Sequence, residues 1–318
     1  DFLANRSQFV TFEQVQSRPV PVTSGVPQGS VLGPVLFLVF INDITNNIDC
    51  NIKLFADDCI LYKTIKNPED YLMLSSSLNK IVEWCNTWQM TINNKKSVCM
   101  TVTRKKQPYN YDYSINDSTL SRVSEHKYLG LTLTSELRWD AHIANVTSAA
   151  LRKLFFLRRC SRLAPQNTKL FAYTTLVRPI LEYASTVWFP HSITNITRLE
   201  KVQRKALRFI HNKYKHSDSP TDLAASSGLP SLLSRAKESR LKFLYQLLQN
   251  TYSIDVSKYA SFSQSRQSRH KHAHTLTEYA CRTNTLKHSF FPLAISEWNQ
   301  LDPSITMSDS LSSFTSRL

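Results

Sequence analysis

Two adjacent carboxylates constrain this 318-residue chain more than any other feature. They lie in Lys53-Leu54-Phe55-Ala56-Asp57-Asp58-Cys59-Ile60-Leu61-Tyr62, between two short apolar runs. Phe55, Ile60 and Tyr62 favour strands and an Asp pair favours a turn, so the stretch reads as a hairpin with two acids at its tip. Neighbouring carboxylates repel unless cations neutralise them. Hard divalent ions such as Mg²⁺ take oxygen ligands of this kind together with substrate phosphates. By itself the dipeptide also fits an ordinary solvated turn, and the rest of the chain has to separate the two readings.

The length suits two domains or three small ones, and 42% hydrophobic residues can build a sizeable core. No apolar run reaches the roughly 18 to 20 residues of a membrane span. Val31–Ile44 comes nearest and is interrupted by Gly33, Pro34 and Asn42-Asp43. Residue 1 is Asp and no leader pattern follows, which suggests a piece of a longer reading frame, although a trimmed N-terminus reads the same. Cys50, Cys59, Cys85, Cys99, Cys160 and Cys281 are scattered without a Cys-x-x-Cys pair. That argues against a zinc ribbon or a disulfide scaffold and for a reducing, intracellular compartment. Asn145-Val-Thr and Asn195-Ile-Thr match the glycosylation pattern, which we take as chance without a secretory signal.

Net charge is +15 and unevenly spread. Residues 1–70 hold five basic residues against eight acids, whereas residues 151–216 hold fourteen against two, Glu182 and Glu200. An acidic first part and a basic middle suit a polyanion held by one region and presented to metal-binding carboxylates in another. A solvated basic surface is the plainer alternative.

Along the chain, short strands are expected around Phe9–Phe12 and Val20–Val22. Ser24-Gly25-Val26-Pro27-Gln28-Gly29-Ser30 is a bent loop whose glycines let backbone approach a ligand closely. Residues 31–41 read as a buried helix with Pro34 in its first turn. A glycine-rich loop feeding a helix is a general device for holding phosphates. Residues 70–90 have a helical stripe of Leu74, Leu78, Ile81, Val82, Cys85 and Trp88. Residues 97–100 and 127–133 read as strands, and Arg104-Lys105-Lys106 as a solvated loop. Helices follow over 141–162, 168–188 (with Pro179 a kink or boundary) and 196–214. The last is the most amphipathic: Leu199, Val202, Ala206, Phe209 and Ile210 form one stripe, with Lys201, Arg204, Lys205 and Arg208 mainly outside it. Residues 216–230 read as a linker and 232–248 as a helix. His270, His272 and His274 alternate, but no Cys or acid lies near enough in sequence to complete a metal site. Residues 290–299 read as a buried aromatic cap.

Ser-Gly-Val-Pro-Gln-Gly-Ser-Val-Leu-Gly-Pro at 24–34, followed by Phe-Ala-Asp-Asp at 55–58, closely resembles motifs B and C of the reverse transcriptases of non-LTR, jockey-like retrotransposons. Downstream, 93–100 is similar to motif D, 127–133 to the motif E primer grip, and 290–299 to a segment near the C-terminus of such proteins. The resemblance implies an α+β fold. A partial polymerase palm, an antiparallel sheet with packed helices, would span 1–138. A helical, basic thumb-like region would span 139–216, and a mostly helical C-terminal region of unknown role 217–318. It implies RNA-directed DNA polymerisation with two Mg²⁺ or Mn²⁺ ions in the complete site, an RNA template, a DNA primer and deoxynucleoside triphosphates. No membrane is involved, and the protein is expected in nucleus and cytoplasm.

By the same resemblance Asp57 is a direct metal ligand and Asp58 a supporting carboxylate, while Lys96 lies near the incoming triphosphate. Ser24, Gly25, Pro27, Gln28 and Gly29 position the template base and nascent pair. Lys127, Tyr128, Leu129 and Gly130 grip the primer, and Lys201, Arg204, Lys205 and Arg208 touch nucleic-acid backbone. The family's further ligand, an Asp in motif A upstream of motif B, has no match in the 23 residues before Ser24, where Asp1 is a poor stand-in. Negligible activity is therefore expected of these residues alone, and a non-catalytic nucleic-acid-binding remnant is the alternative reading.

Overall fold

A computed structural model of the chain describes residues 3–109, 111–215, 217–263 and 274–318. It is mixed α and β, about half helical, and forms two compact units. The first comprises Asp1–Thr101 and Lys105–Val123, the second Val102–Arg104 and Ser124–Leu318. Asp1, His270 and His272 lie outside the described residues.

In the first unit, β1 (Arg6–Gln8), β2 (Thr11–Phe12), β3 (Val15–Gln16) and β4 (Val20–Val22) make nested hairpins, β1 with β4 and β2 with β3. Helix α1 (Leu32–Ile41) follows, then the hairpin of β5 (Asn51–Phe55) and β6 (Asp58–Tyr62), and α2 (Pro68–Thr87). The short strands β7 (Val98–Cys99), β8 (Ser114–Ile115), β9 (Ser118–Thr119) and β10 (Ser121–Arg122) complete it, β8 with β9 and β10 parallel to β7. Among the described residues every ladder has two strands, so the β-structure is a set of separate ladders and not one continuous sheet. Asn67 caps α2: its side chain accepts from the Asp70 N–H, and Asp70 reaches back to the Asn67 N–H. That capping box starts the helix before the expected Asp70. Ile81 and Cys85 of α2 pack with Ile41 and Ile44, and Ile52, Leu54 and Leu61 of the hairpin lie on this core.

Helix α1 departs from the expectation of burial. Of its residues only Gly33 and Ile41 are buried, while Val39 is 72% exposed and Val31, just before the helix, 90%. A helix apolar on every side needs neighbours on every side, and the core meets it on one.

In the second unit, β11 (Glu125–Tyr128) and β12 (Leu131–Thr134) form a hairpin ahead of α3 (Asp140–Cys160). The expected helix over 168–188 is three pieces: α4 (Gln166–Leu176), α5 (Arg178–Glu182, with Pro179 in its first turn) and α6 (Ser185–Trp188). Ala184, at φ +51°, turns the chain between the last two. Helix α7 (Ile193–His211) buries the predicted stripe. The stretch read as a linker holds α8 (Pro220–Ser226), and its Leu223 joins Ile143, Leu154, Tyr173, Leu207 and Ile210 in one core.

Helix α9 (Leu232–Leu248) supplies Leu232 and Ala236 to that core and Leu241, Leu244 and Tyr245 to a second. There it meets α11 (Phe290–Trp298) through Trp298 and α13 (Leu311–Arg317) through Phe314, while α10 (Asn284–Lys287) packs on α11, and α12 (Pro303–Thr306) adds Ile305. No helix among the described residues is long and apolar enough to cross a membrane.

Candidate active site

The carboxylate hairpin turns through Ala56 and Asp57, and Phe55 pairs with Asp58. Asp58 is thus the first residue of β6 and not part of the turn, one position from the expected register. Ladder pairing sets the faces. Ile52 with Leu61 and Leu54 with Cys59 form the inner face, while Phe55 with Asp58 and Lys53 with Ile60 share the outer one. Asp57 and Asp58 are both exposed. Cys59 is exposed in part, yet burial of its thiol, helped by Cys85, pushes it up to about 11, so it stays protonated near neutrality. The inner face is fixed from below by α2. Its Trp84 donates to Asp43 (3.0 Å), and its Lys80 donates to Asp49 and to the Asn47 carbonyl (both 2.7 Å).

The glycine loop is tied at both ends. Arg6 donates to the carbonyls of Ser24 (3.2 Å) and Gly25 (2.6 Å), and Gly25 takes φ +74°. At the other end Ser30 donates to the Pro27 carbonyl (2.7 Å) and accepts from the Gly33 N–H (3.0 Å), which satisfies a donor in the first turn of α1. A Cβ on Gly33 would lie 2.9 Å from the Ser30 Oγ and 3.0 Å from the Pro27 oxygen, so a larger residue there would have to push these neighbours aside. Gly29 takes φ +79° with open space around it. Pro27 and Gln28 are held between these anchors. Arg6 had no signal in local sequence, because its partners are carbonyls 18 and 19 residues away.

Lys96 is exposed in a turn before β7, where its N–H donates to the Asn93 carbonyl (3.0 Å). In the second unit, Lys127 and Tyr128 end β11 and Leu129-Gly130 make the turn, at φ +46° and +83°. Positive φ at both turn residues matches a twisted two-residue hairpin. Tyr183, which sequence reasoning missed, donates to the Leu129 carbonyl (3.2 Å), and its ring is 3.1 Å from where a Gly130 Cβ would stand. Lys201 and Arg204 are exposed and Lys205 and Arg208 partly so, all on α7. Arg104, read as solvated, donates to Thr285 (2.6 Å).

Residues 2–133 match the family described as "Reverse transcriptase (RNA-dependent DNA polymerase)". The chain is 30% identical over 224 residues to the "RNA-directed DNA polymerase from mobile element jockey" of Drosophila melanogaster, covering 66% of this chain and 24% of that one. It is 28% identical over 237 residues to the "Probable RNA-directed DNA polymerase from transposon X-element" of the same organism, covering 68% and 26%. Over residues 2–133 the chain belongs to the reverse transcriptase family. The chain spans about a quarter of the length of these relatives.

The reverse-transcriptase stretch includes the glycine loop, Asp57, Asp58, Lys96 and the Lys127–Gly130 tip, whereas the α7 cations lie beyond it. The jockey and X-element matches are longer than that stretch, so their likeness extends past it. Divalent metal use and template-primer binding go with the reverse-transcriptase family in general. Two exposed carboxylates are the right donors for a hard cation. Among the described residues, however, no group of three or more His, Cys, Asp and Glu stands together as a metal cluster would.

Proposed function

We propose that this chain supplies the carboxylate hairpin, nucleotide loop and primer-binding elements of an RNA-directed DNA polymerase of non-LTR retrotransposon type. In the reaction a primer 3′-hydroxyl attacks the α-phosphate of a deoxynucleoside triphosphate, the new P–O bond forms and pyrophosphate leaves. The observation that carries this reading is the pair Asp57 and Asp58, exposed at a hairpin tip inside the stretch that matches the family.

Asp57 is the direct ligand in this scheme and Asp58 the supporting carboxylate. Bound divalent ions supply charge that lowers the cost of the attacking alkoxide and stabilises the leaving oxygens. The loop residues Ser24, Gly25, Pro27, Gln28 and Gly29 orient the nascent pair, a positioning role supported by anchors at Arg6 and Ser30. Lys96 offers a cation, and a proton, to the departing pyrophosphate. Lys127, Tyr128, Leu129 and Gly130 form a primer grip on a partial palm, and the α7 cations a thumb surface that holds phosphates without reading sequence.

The test is a chimera in which residues 2–133 replace the matching stretch of the Drosophila melanogaster jockey polymerase, assayed for primer extension on poly(rA)/oligo(dT). Extension is expected. Asp58→Asn should lower it about 10- to 100-fold, as loss of a supporting group does, and Asp57→Asn by more. Equal activity of the Asp57→Asn chimera and its parent overturns the reading. The 318-residue chain by itself offers two carboxylates to the site, and we expect it to extend primers negligibly. Extension by the chain alone, abolished by Asp57→Asn, overturns that expectation.

A further inference from the structure

The second unit has a groove between α3 and α7, lined by Ser148 and Leu151 on one side and Arg198, Lys201 and Lys205 on the other. It leads to exposed rings. Phe155, one turn beyond Leu151, is 38% exposed, and Tyr214, just past α7, is 49% exposed. Cations surround both. Lys205 lies 5.6 Å and Arg158 5.8 Å from the Phe155 ring centre, and Arg158 lies 5.4 Å from that of Tyr214. Arg208 is pinned beside them by donating to the Tyr214 carbonyl (3.3 Å).

From Ala144 to Arg158 the α3 wall rises about 21 Å at 1.5 Å per residue. The acids on these two helices are turned to other work. Asp140 accepts from Asn195 (2.9 Å), and Glu200 accepts from the Leu233 N–H (3.1 Å). Exposed aromatic rings framed by cations that make no ion pair among the described residues are what a chain of unstacked bases requires: phosphates meet the charges and a base lies on a ring. A duplex keeps its bases stacked inside and has use for the cations only.

We propose that the α3–α7 groove is a binding site for single-stranded polynucleotide, with phosphates on Arg198, Lys201 and Lys205 and a base stacked at Phe155 and Tyr214. This deepens the nucleic-acid-binding part of the reading above and rests on it, but adds residues and a stacked base that the reading does not contain.

The test is fluorescence anisotropy of the full 318-residue chain with labelled dT12 and with a blunt 12-base-pair duplex, across a salt series. Phe155→Ala with Tyr214→Ala should weaken dT12 binding about 5- to 150-fold, the range for loss of one stacked base, and leave duplex binding within about twofold. Phe155→Leu, which keeps an apolar side chain without a ring, should show the loss for dT12 as well. Lys201→Ala with Lys205→Ala should weaken both ligands and flatten the salt slope by about 2. Phe155→Trp should retain binding, and dT12 should quench its added fluorescence. If the ring variants leave dT12 affinity unchanged, or weaken both ligands equally, the stacking site is wrong while backbone binding stands. If neither ligand binds the wild-type chain, the backbone-binding reading falls as well.

Discussion

Ala56 sits at φ +50° next to the first carboxylate, in the left-handed region where a Cβ crowds the following carbonyl. The conformation costs roughly 1–2 kcal/mol for a residue other than glycine. It holds Asp57 at the apex and starts β6 at Asp58. Ala56→Gly should relieve that strain and raise the thermal midpoint, by up to about 1 kcal/mol in unfolding free energy after the added freedom of the unfolded chain is subtracted. Denaturant titration followed by circular dichroism measures it, and a lower midpoint would contradict the strain argument. The left-handed turn at Leu129-Gly130 is the same kind of feature, held by Tyr183 from 54 residues away. The two acids were legible as residue types in the sequence. Their exact turn register was not, because an Asp pair suits several turns and ladder pairing selects one.

Among the elements, α7 was the most legible: one apolar stripe and one charged face leave little freedom in how it packs. Its start is marked by Ser192, and Ser219, Ser231, Thr283 and Ser310 cap α8, α9, α10 and α13 in the same way. Helix α11 was legible only as aromatic. Its Glu297 accepts two hydrogen bonds from Arg240 of α9, at 2.9 and 2.7 Å, in a largely buried pair. Removing one partner leaves a buried charge uncompensated. Glu297→Ala should therefore destabilise the second unit by about 3–5 kcal/mol, whereas Arg240→Met combined with Glu297→Leu should recover most of that. Chemical denaturation of the two variants decides it. A single variant that costs nothing would mean the guanidinium finds water.

For the whole molecule, the shifted groups that titrate below neutrality all act in one direction. His142 is buried and accepts at Nδ1 from the Thr132 N–H (3.2 Å), and burial, with Lys127 adding to it, holds its pKa below the ordinary histidine value. His288 is shifted the same way by burial, then by His191, stacked 3.9 Å from it, and Lys287. The unfolded chain binds these protons more readily than the folded one, so stability is full above the unfolded histidine pKa of about 6.5 and falls as pH drops below it. The thermal midpoint should decrease from pH 7 to pH 5. His142→Gln, which keeps an acceptor, should flatten that decrease. An equally steep decrease in the variant would assign the effect elsewhere. Asp70 is depressed first by backbone N–H groups of Lys66 and Asn67, and it adds a separate loss only at more acid pH.

By itself the sequence pointed to the reverse-transcriptase family, which residues 2–133 match, and to the chemistry proposed. An eleven-residue loop and an Asp-Asp pair are local, and local motifs survive without knowledge of what surrounds them. It also determined which helices are amphipathic, because periodicity is a property of neighbours in sequence. Tertiary structure decided what depends on distant partners. It set Arg6 on the glycine loop, Tyr183 under the Leu129-Gly130 turn and Arg240 on Glu297. It also left α1 half uncovered and gathered Phe155, Arg158, Lys205 and Tyr214 at one end of a groove. The reason is physical: hydrogen bonds and ring contacts act over a few ångströms in space, and sequence spacing measures that distance only within one element.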